Sequence, residues 1–275
     1  EMTDTVVVKI GGARAVNPEG ALDDVGDLIR DDTDVVVVHG GSTAVDDTLE
    51  RMDIEPEYVE TPSGVVGRFT DEETMEVFTM AMAKVNTDLV IGIRNQGVDA
   101  VGLSGVDGAL LTGPRKSAVR VLEDGKKKIR RGDHSGRIES VKGELLWSLL
   151  DDGYTPVISP PMFAHEGTAV NTDADRAAAA VAAELGATLV SLTDVSGVYR
   201  DPDDPSTRFE RVETGKKYRE MKRAAEGFME RKVMAATEAL RDGASEVVIA
   251  DANADSPIRS ALDGGGTHVS ADALE

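Results

Sequence analysis

A lysine followed by paired glycines, Val8-Lys9-Ile10-Gly11-Gly12, closes the first β-branched run of the chain. Open α/β sheets bind ligands at strand ends of this kind: glycine lets backbone amides approach an anion, and lysine adds a point charge suited to phosphate. A second run ends in Val38-His39-Gly40-Gly41-Ser42 with helix-type sequence directly behind it, and the unpaired amides of a helix start form an anion site. Either segment alone is equally a tight turn, and His39 reads as a packed or turn-capping residue rather than a catalytic one. Arg68, in Gly67-Arg68-Phe69-Thr70-Asp71, could hold a substrate carboxylate by two hydrogen bonds or pair with Asp71 or Glu72. Asn171-Thr172-Asp173-Ala174-Asp175 and Gly227-Phe228-Met229-Glu230-Arg231-Lys232 add polar residues that helix caps and solvated charge would also explain.

Much other chemistry is excluded. The 275 residues contain no cysteine, which removes disulfides, thiolate catalysis and cysteine-ligated metals. Four histidines, His39, His134, His165 and His268, argue against a histidine metal cluster, and no resident metal is expected. The P-loop, dinucleotide, zinc-protease and nucleophile-elbow motifs are all missing. With 51 acidic against 30 basic residues, the net charge of -21 repels nucleic acid. It also suits a cytoplasm of high ionic strength, where screening relieves self-repulsion. Apolar runs such as Val35 to Val38 are far shorter than the roughly 20 residues that cross a bilayer. The start, Glu1-Met2-Thr3-Asp4, lacks the basic region of a secretory leader. A cytoplasmic, membrane-free protein is expected.

The elements that must position these residues follow from periodicity. Strands are predicted at Thr5 to Ile10, Val35 to Val38, Ala100 to Leu103, Thr155 to Ser159, Thr188 to Leu192 and Glu246 to Ala250. They alternate with amphipathic stretches, which predicts an α/β fold with a mainly parallel open sheet between helices. Met75, Phe78, Met82, Val85 and Leu89 mark one helix from about Asp71 to Arg94, capped by Thr70 or Asp71. An alanine-rich helix follows Asp175 and stops at Gly186. Asp124-Gly125 between two extended runs predicts a projecting hairpin. A third short strand at Gly136 to Ile138 and a helix at Glu139 to Leu150 are expected after it. Gly167 to Asn171 is the expected boundary between an N-terminal lobe, 1–168, and a C-terminal lobe, 169–275.

Taken together, Lys9 to Gly12, His39 to Gly41, Arg68, Asn171 to Asp175, Thr193-Asp194-Val195-Ser196-Gly197-Val198-Tyr199 and Gly227 to Lys232 resemble, in order and over nearly the whole chain, the amino acid kinase family. The nearest likeness is to its acetylglutamate-kinase branch. That resemblance implies ATP, with Mg2+ carried by the nucleotide. Lys9 and Lys232 would stabilise the phosphoryl group in flight, with Asp175 positioning both. Gly40, Gly41, Arg68 and Asn171 would hold the acyl substrate. Gly11, Gly12, Thr193, Asp194, Gly197, Val198 and Tyr199 would line the nucleotide site. Ser42 stands where the family often has a third glycine, and Asp173 replaces a frequent asparagine. The likeness also implies a homodimer through the N-terminal lobe.

Lys126-Lys127-Lys128-Ile129-Arg130-Arg131 places five cations in six residues of an acidic chain. One or two would protect an edge strand; five point to an acidic partner. This run, Pro62-Ser63-Gly64-Val65 through Thr79, and Gly102 to Gly108 resemble the carrier-linked kinases of lysine and arginine biosynthesis. That resemblance implies a docking role for Lys126, Lys127, Lys128, Arg130 and Arg131 toward a small acidic amino-group carrier protein, LysW, bearing glutamate or aminoadipate. A kinase of free N-acetylglutamate is the alternative, and a non-catalytic nucleotide-binding regulator a further one.

Overall fold

The computed structural model describes residues 4–12, 17–62, 64 and 66–275. The start at Glu1 to Thr3, and Ser63 and Val65 of the segment singled out above, lie outside the described residues.

In chain order the elements begin with β1 (Thr5–Ile10), α1 (Glu19–Arg30), β2 (Asp34–His39), α2 (Ser42–Arg51), β3 (Tyr58–Glu60), β4 (Val66–Arg68) and α3 (Glu72–Asn95). Next come β5 (Ala100–Gly105), β6 (Leu111–Gly113), β7 (Arg115–Glu123), β8 (Lys126–Gly136), β9 (Ser140–Val141), α4 (Gly143–Asp151), β10 (Thr155–Ala164) and β11 (Ala169–Val170). The remainder is α5 (Ala174–Leu185), β12 (Thr188–Thr193), β13 (Arg211–Val212), α6 (Gly215–Ala224), α7 (Phe228–Asp242), β14 (Glu246–Asp251), α8 (Pro257–Leu262) and β15 (Thr267–Ser270). One sheet runs β13-β15-β14-β12-β1-β2-β10-β6-β9, with β5 also on β10. Its central pairs are parallel; β15 is antiparallel to β14 and parallel to β13, and β9 and β11 are antiparallel to β6 and β10.

Parallel strands covered on both faces bury every side chain, which is why β1 and β2 are valine-rich throughout. Their alternation divides the core. Val7, Val36 and Val38 pack with α4, α5 and α7 residues such as Leu146, Ala178 and Ala236. Val6, Val8, Val35 and Val37 pack on the opposite face with Val25 of α1, Leu89 of α3 and Ile258 of α8. Lys9 shares the parity of Val7, so it is directed toward the α5 and α7 layer. Asp71 caps α3 by accepting from the Thr74 amide at 2.8 Å.

Three expectations are corrected. The run expected to stop at Ser159 continues to Ala164 through Pro160 and Pro161. β5 pairs with β10 only as far as Ser159 and β6 only from Phe163, so the two prolines fall where no neighbouring strand needs their missing N–H. Gly136 is the end of β8 rather than the start of a third strand. Ser140 and Val141 pair with Thr112 and Leu111 of β6, which delays the helix expected at Glu139 to Gly143. The hairpin turns at Asp124 and Gly125, both with positive φ (50° and 73°), as its Asp-Gly sequence predicts.

Candidate active site

Three elements deliver one charged cluster. Lys9 comes from β1, Asp175 from the first turn of α5 and Lys232 from the second turn of α7. Asp173 fixes the start of α5, accepting from the Arg176 amide at 3.0 Å, and the helix dipole favours a carboxylate in that turn. Small residues, Ala178 and Ala182 on α5 and Ala235 and Ala239 on α7, are buried there, and Arg176 pairs with Glu238 across the two helices at 3.1 Å. The Asp175 carboxylate meets the Lys9 ammonium at 2.9 Å and the Lys232 ammonium at 3.3 Å from each oxygen. The side chains of Lys9, Lys232 and Asp175 are only 6%, 11% and 15% exposed.

Electrostatics in this cluster are set by scarcity of water. Burial alone would raise the Asp175 carboxyl; the ammonium charges of Lys9 and then Lys232 override it and hold the group below its ordinary value. Burial, then the Lys9 charge, push Lys232 down despite the counter-charge of Asp175. Two cations on one carboxylate leave a positive surplus inside a chain of net charge -21.

Both glycine turns adjoin this cluster. A methyl group on Gly12 would lie 2.2 Å from the Gly41 nitrogen, and one on Gly40 would lie 3.6 Å from Ala174. The two turns are therefore in backbone contact, beside the start of α5. Neither Gly41 before α2 nor Gly227 before α7 supplies a side-chain cap; the Thr43 amide donates to the Gly12 carbonyl and the Met229 amide to that of Glu226, leaving the other first-turn amides for an anion. Donors, lysines and close-packed glycines together fit the polyphosphate of a nucleotide. No group of three or more metal-capable side chains is found among the described residues.

His39 is packed, as its sequence setting suggested. Its Nδ1 lies 2.9 Å from the Gly40 carbonyl and its Nε2 3.0 Å from Asn86 Nδ2, which also donates to the Val157 carbonyl at 2.9 Å. Burial pushes its pKa down to about 4, against the opposing bond to Gly40. The ring is neutral at pH 7, donating through Nδ1 and accepting at Nε2.

Arg68 is paired, but with neither Asp71 nor Glu72. Its Nε and one Nη reach Asp46 Oδ1 at 3.1 and 2.8 Å, and the same Nη donates to the Ser42 carbonyl at 2.9 Å. The guanidinium is thus held at the first turn of α2, next to Gly41. Asn171 is stitched to the root of the hairpin: its amide donates to the His134 carbonyl at 2.7 Å, its carbonyl accepts from the Gly136 amide at 2.8 Å, and its side chain donates to Thr70 at 3.2 Å.

At the neighbouring strand ends, Ile10 is in register with Leu192 and Thr193 with Asp251, so Gly11 and Thr193 leave the sheet side by side. Thr193 donates to Asp194 at 3.1 Å. Gly197 has φ 143°, and a methyl group there would lie 2.6 Å from Thr267 Oγ1. That hydroxyl receives the Val198 amide at 2.9 Å. The Val198 side chain is packed in the core, and Tyr199 pairs with Arg208. These residues gather at one edge; the hairpin cations do not join them. A cleft of about 370 Å3 lined by Thr79, Asn86, Gly102 and Ser159 lies on the α3 face of the sheet, away from Lys9.

Sequence reasoning missed Asp46, Asn86 and Asp133, and offered Thr70 only as a helix cap. Asp133 is buried, accepts from the Thr70 amide at 3.2 Å and is bonded by the Ser135 hydroxyl. No periodic or motif signal marks those three, because their roles arise from contacts made only in the folded chain.

A sheet of this topology with a lysine–carboxylate–lysine cluster beside two touching glycine turns is a phosphotransferase architecture. Residues 4–251 match the amino acid kinase family, and the chain belongs to it; it is a kinase whose acceptor is a carboxyl group. It is 42% identical over 271 residues to a LysW-aminoadipate kinase of Thermus thermophilus, covering 96% of this chain and 99% of that one. It is 41% identical over 266 residues to an acetylglutamate kinase of Methanopyrus kandleri, covering 96% and 99%. Among solved structures, the N-acetylglutamate synthase of Neisseria gonorrhoeae shares the fold with a TM-score of 0.77 at 23% identity; the match covers 97% of this chain and 59% of that longer one.

Proposed function

We propose that the protein transfers the terminal phosphoryl group of ATP to the side-chain carboxylate of glutamate or aminoadipate carried on a small acidic LysW-type protein, forming an acyl phosphate in arginine or lysine biosynthesis. The observation that carries phosphotransfer is the convergence of Lys9 and Lys232 on Asp175; the carrier-borne acceptor is supported by the Thermus relative and by the cationic hairpin.

An acceptor carboxylate, with a pKa of about 4.3, is ionised at neutral pH and needs no general base. His39, neutral and bonded through both nitrogens, is not required as one. The difficulty is repulsion between two anions, which positioned cations and backbone dipoles relieve. Lys9 and Lys232 would stabilise the charge that moves between donor and acceptor, and Asp175 would hold both ammonium groups in place. Gly40, Gly41, Arg68 and Asn171 would hold the acyl substrate. Gly11, Gly12, Thr193, Asp194, Gly197, Val198 and Tyr199 would border the nucleotide, Val198 through its backbone. Mg2+, arriving with the nucleotide, would neutralise phosphate charge. In this scheme residues 1–168 serve acceptor and carrier, and 169–275 the nucleotide.

The hairpin cations Lys126, Lys127, Lys128, Arg130 and Arg131 would meet the carrier. A homodimer through the N-terminal lobe is supported by the edge of β5 that has no partner strand among the described residues and by Met80 and Ile91 of α3, each 52% exposed. No helix is long and apolar enough to cross a membrane among the described residues, and a cytoplasm rich in salt is the proposed setting.

The Methanopyrus relative makes free N-acetylglutamate the second reading. ATP consumption with carrier-bound glutamate, carrier-bound aminoadipate and free N-acetylglutamate, with the acyl phosphate trapped by hydroxylamine, decides between them. Hydroxamate from either carrier-bound acceptor supports the proposal; hydroxamate from N-acetylglutamate alone rejects it.

A further inference from the structure

The hairpin of β7 and β8 pairs with no other strand among the described residues, so its two faces have separate environments. In its antiparallel register Glu123, Val121 and Val119 oppose Lys126, Lys128 and Arg130, while Leu122, Arg120 and Ala118 oppose Lys127, Ile129 and Arg131. Directly opposed side chains share a face.

The first face is turned onto the protein. Val121 is fully buried, Lys128 pairs with Glu123 at 2.7 Å, and Arg130 is bonded to Glu57 and stacked 4.3 Å above the Phe69 ring. Lys128 and Arg130 are thus already answered within the chain, while Lys126, at the turn end of this face, is exposed and makes no ion pair among the described residues. On the second face Arg120, Lys127 and Arg131 are exposed, and none makes an ion pair among the described residues. Ile129 lies between them, 66% exposed. Charge alone would keep such a surface soluble; a bare β-branched residue ringed by unanswered cations is the composition of a contact surface with an apolar centre and a polar rim.

We propose that this outward face, Arg120, Lys127 and Arg131 around Ile129, receives the acidic carrier domain, while Lys128 and Arg130 brace the hairpin from within. This rests on the carrier-linked reading above and narrows it to one face, adding Arg120 and Ile129. The occupant is a small acidic protein domain with an apolar spot inside its acidic patch. An extended polyanion would meet the field of the surrounding negative charge instead.

The placement also sets a reach. Ser135, at the root of β8, forms a bridge with Asn171. Ile129 and Ser135 oppose Arg120 and Lys116, four positions apart on β7, because β8 carries two extra residues in a bulge there; the span is roughly 13 Å at about 3.3 Å per residue. A docked domain must therefore present its amino acid on a tether of about four or more extended residues.

The test compares KM for carrier-bound glutamate, KM for ATP and the thermal midpoint in the intact enzyme. Arg120→Glu/Arg131→Glu is expected to raise KM for the carrier about tenfold or more, with KM for ATP and the thermal midpoint unchanged, and Ile129→Asn about threefold. Arg241→Glu, a charge reversal on α7 far from the hairpin, controls for net charge and should shift the carrier KM less than about twofold. A carrier KM in the double variant no different from that control overturns the face while leaving the carrier-linked reading intact. A wild-type enzyme that ignores carrier-bound acceptors yet phosphorylates N-acetylglutamate overturns both.

Discussion

Asp175→Asn removes one charge from the cluster and almost no volume. In the wild type one carboxylate lies 2.9 and 3.3 Å from two ammonium groups that are nearly dry. At those separations each pairing amounts to roughly 5–6 kcal/mol of gross Coulomb attraction at an effective dielectric near 20. Breaking such a buried pair by deleting one partner typically costs about 3–5 kcal/mol, since an uncompensated charge is left behind. If that energy holds the lysines where the phosphoryl group passes, kcat should fall by about 10²–10⁴-fold, at about 1.36 kcal/mol per factor of ten. The variant should relax by giving up a proton. Lys232 is already lowered by burial and by Lys9, and Asp175 is what raises it; without that carboxylate its pKa drops further. The alkaline limb of the kcat profile should therefore move to lower pH. Stability has the opposite dependence. The Asp175 pKa is lowered in the folded protein, so its contribution is complete above the unfolded value near 4 and is lost as pH falls through the folded value. The assay is hydroxamate formation against pH at saturating ATP, alongside thermal unfolding. A kcat within about threefold of wild type, with an unmoved alkaline limb, would refute the role assigned to Asp175.

Other perturbations separate positioning from packing. Asn86→Leu leaves the His39 ring nitrogen and the Val157 carbonyl without their shared donor, at about 1–3 kcal/mol of stability by denaturant unfolding. Because His39 titrates near 4, kcat/KM should show no histidine limb between pH 6 and 7; a limb there that disappears in His39→Gln would contradict its structural role. Gly12→Ala drives a methyl group onto the Gly41 backbone and should abolish nucleotide binding by calorimetry, whereas Gly67→Ala meets open space and should not. Leu146→Ala, fully buried under the sheet, should cost about 2–5 kcal/mol in unfolding free energy with kcat unchanged.

The parallel core was legible because burial on both faces makes strands such as β2 read as uninterrupted valine. The lysine cluster was legible only as a constellation. Nothing local to Lys232 distinguishes it from a solvated helix lysine; strand parity at Lys9 and the parallel packing of α5 and α7 bring it to Asp175. What stayed hidden was set by long-range geometry. Arg68 found Asp46, 22 residues upstream, rather than the acids that follow it. The prolines of β10 looked like a stop because the hand-over from β5 to β6 leaves no trace in local sequence. The basic run looked like five equivalent cations until pairing register separated Lys128 and Arg130, answered on the inner face, from Lys127 and Arg131 on the open outer one.

The most direct measurement is a double-mutant cycle on phosphoryl transfer with Lys9→Met, Lys232→Met and the pair, read as single-turnover hydroxamate formation. Residues acting as a unit on one migrating group lose nearly everything singly, so the double variant should be no slower than the worse single one by more than about threefold. Fully additive losses, or a single variant that retains wild-type turnover, would contradict a shared role for the two lysines.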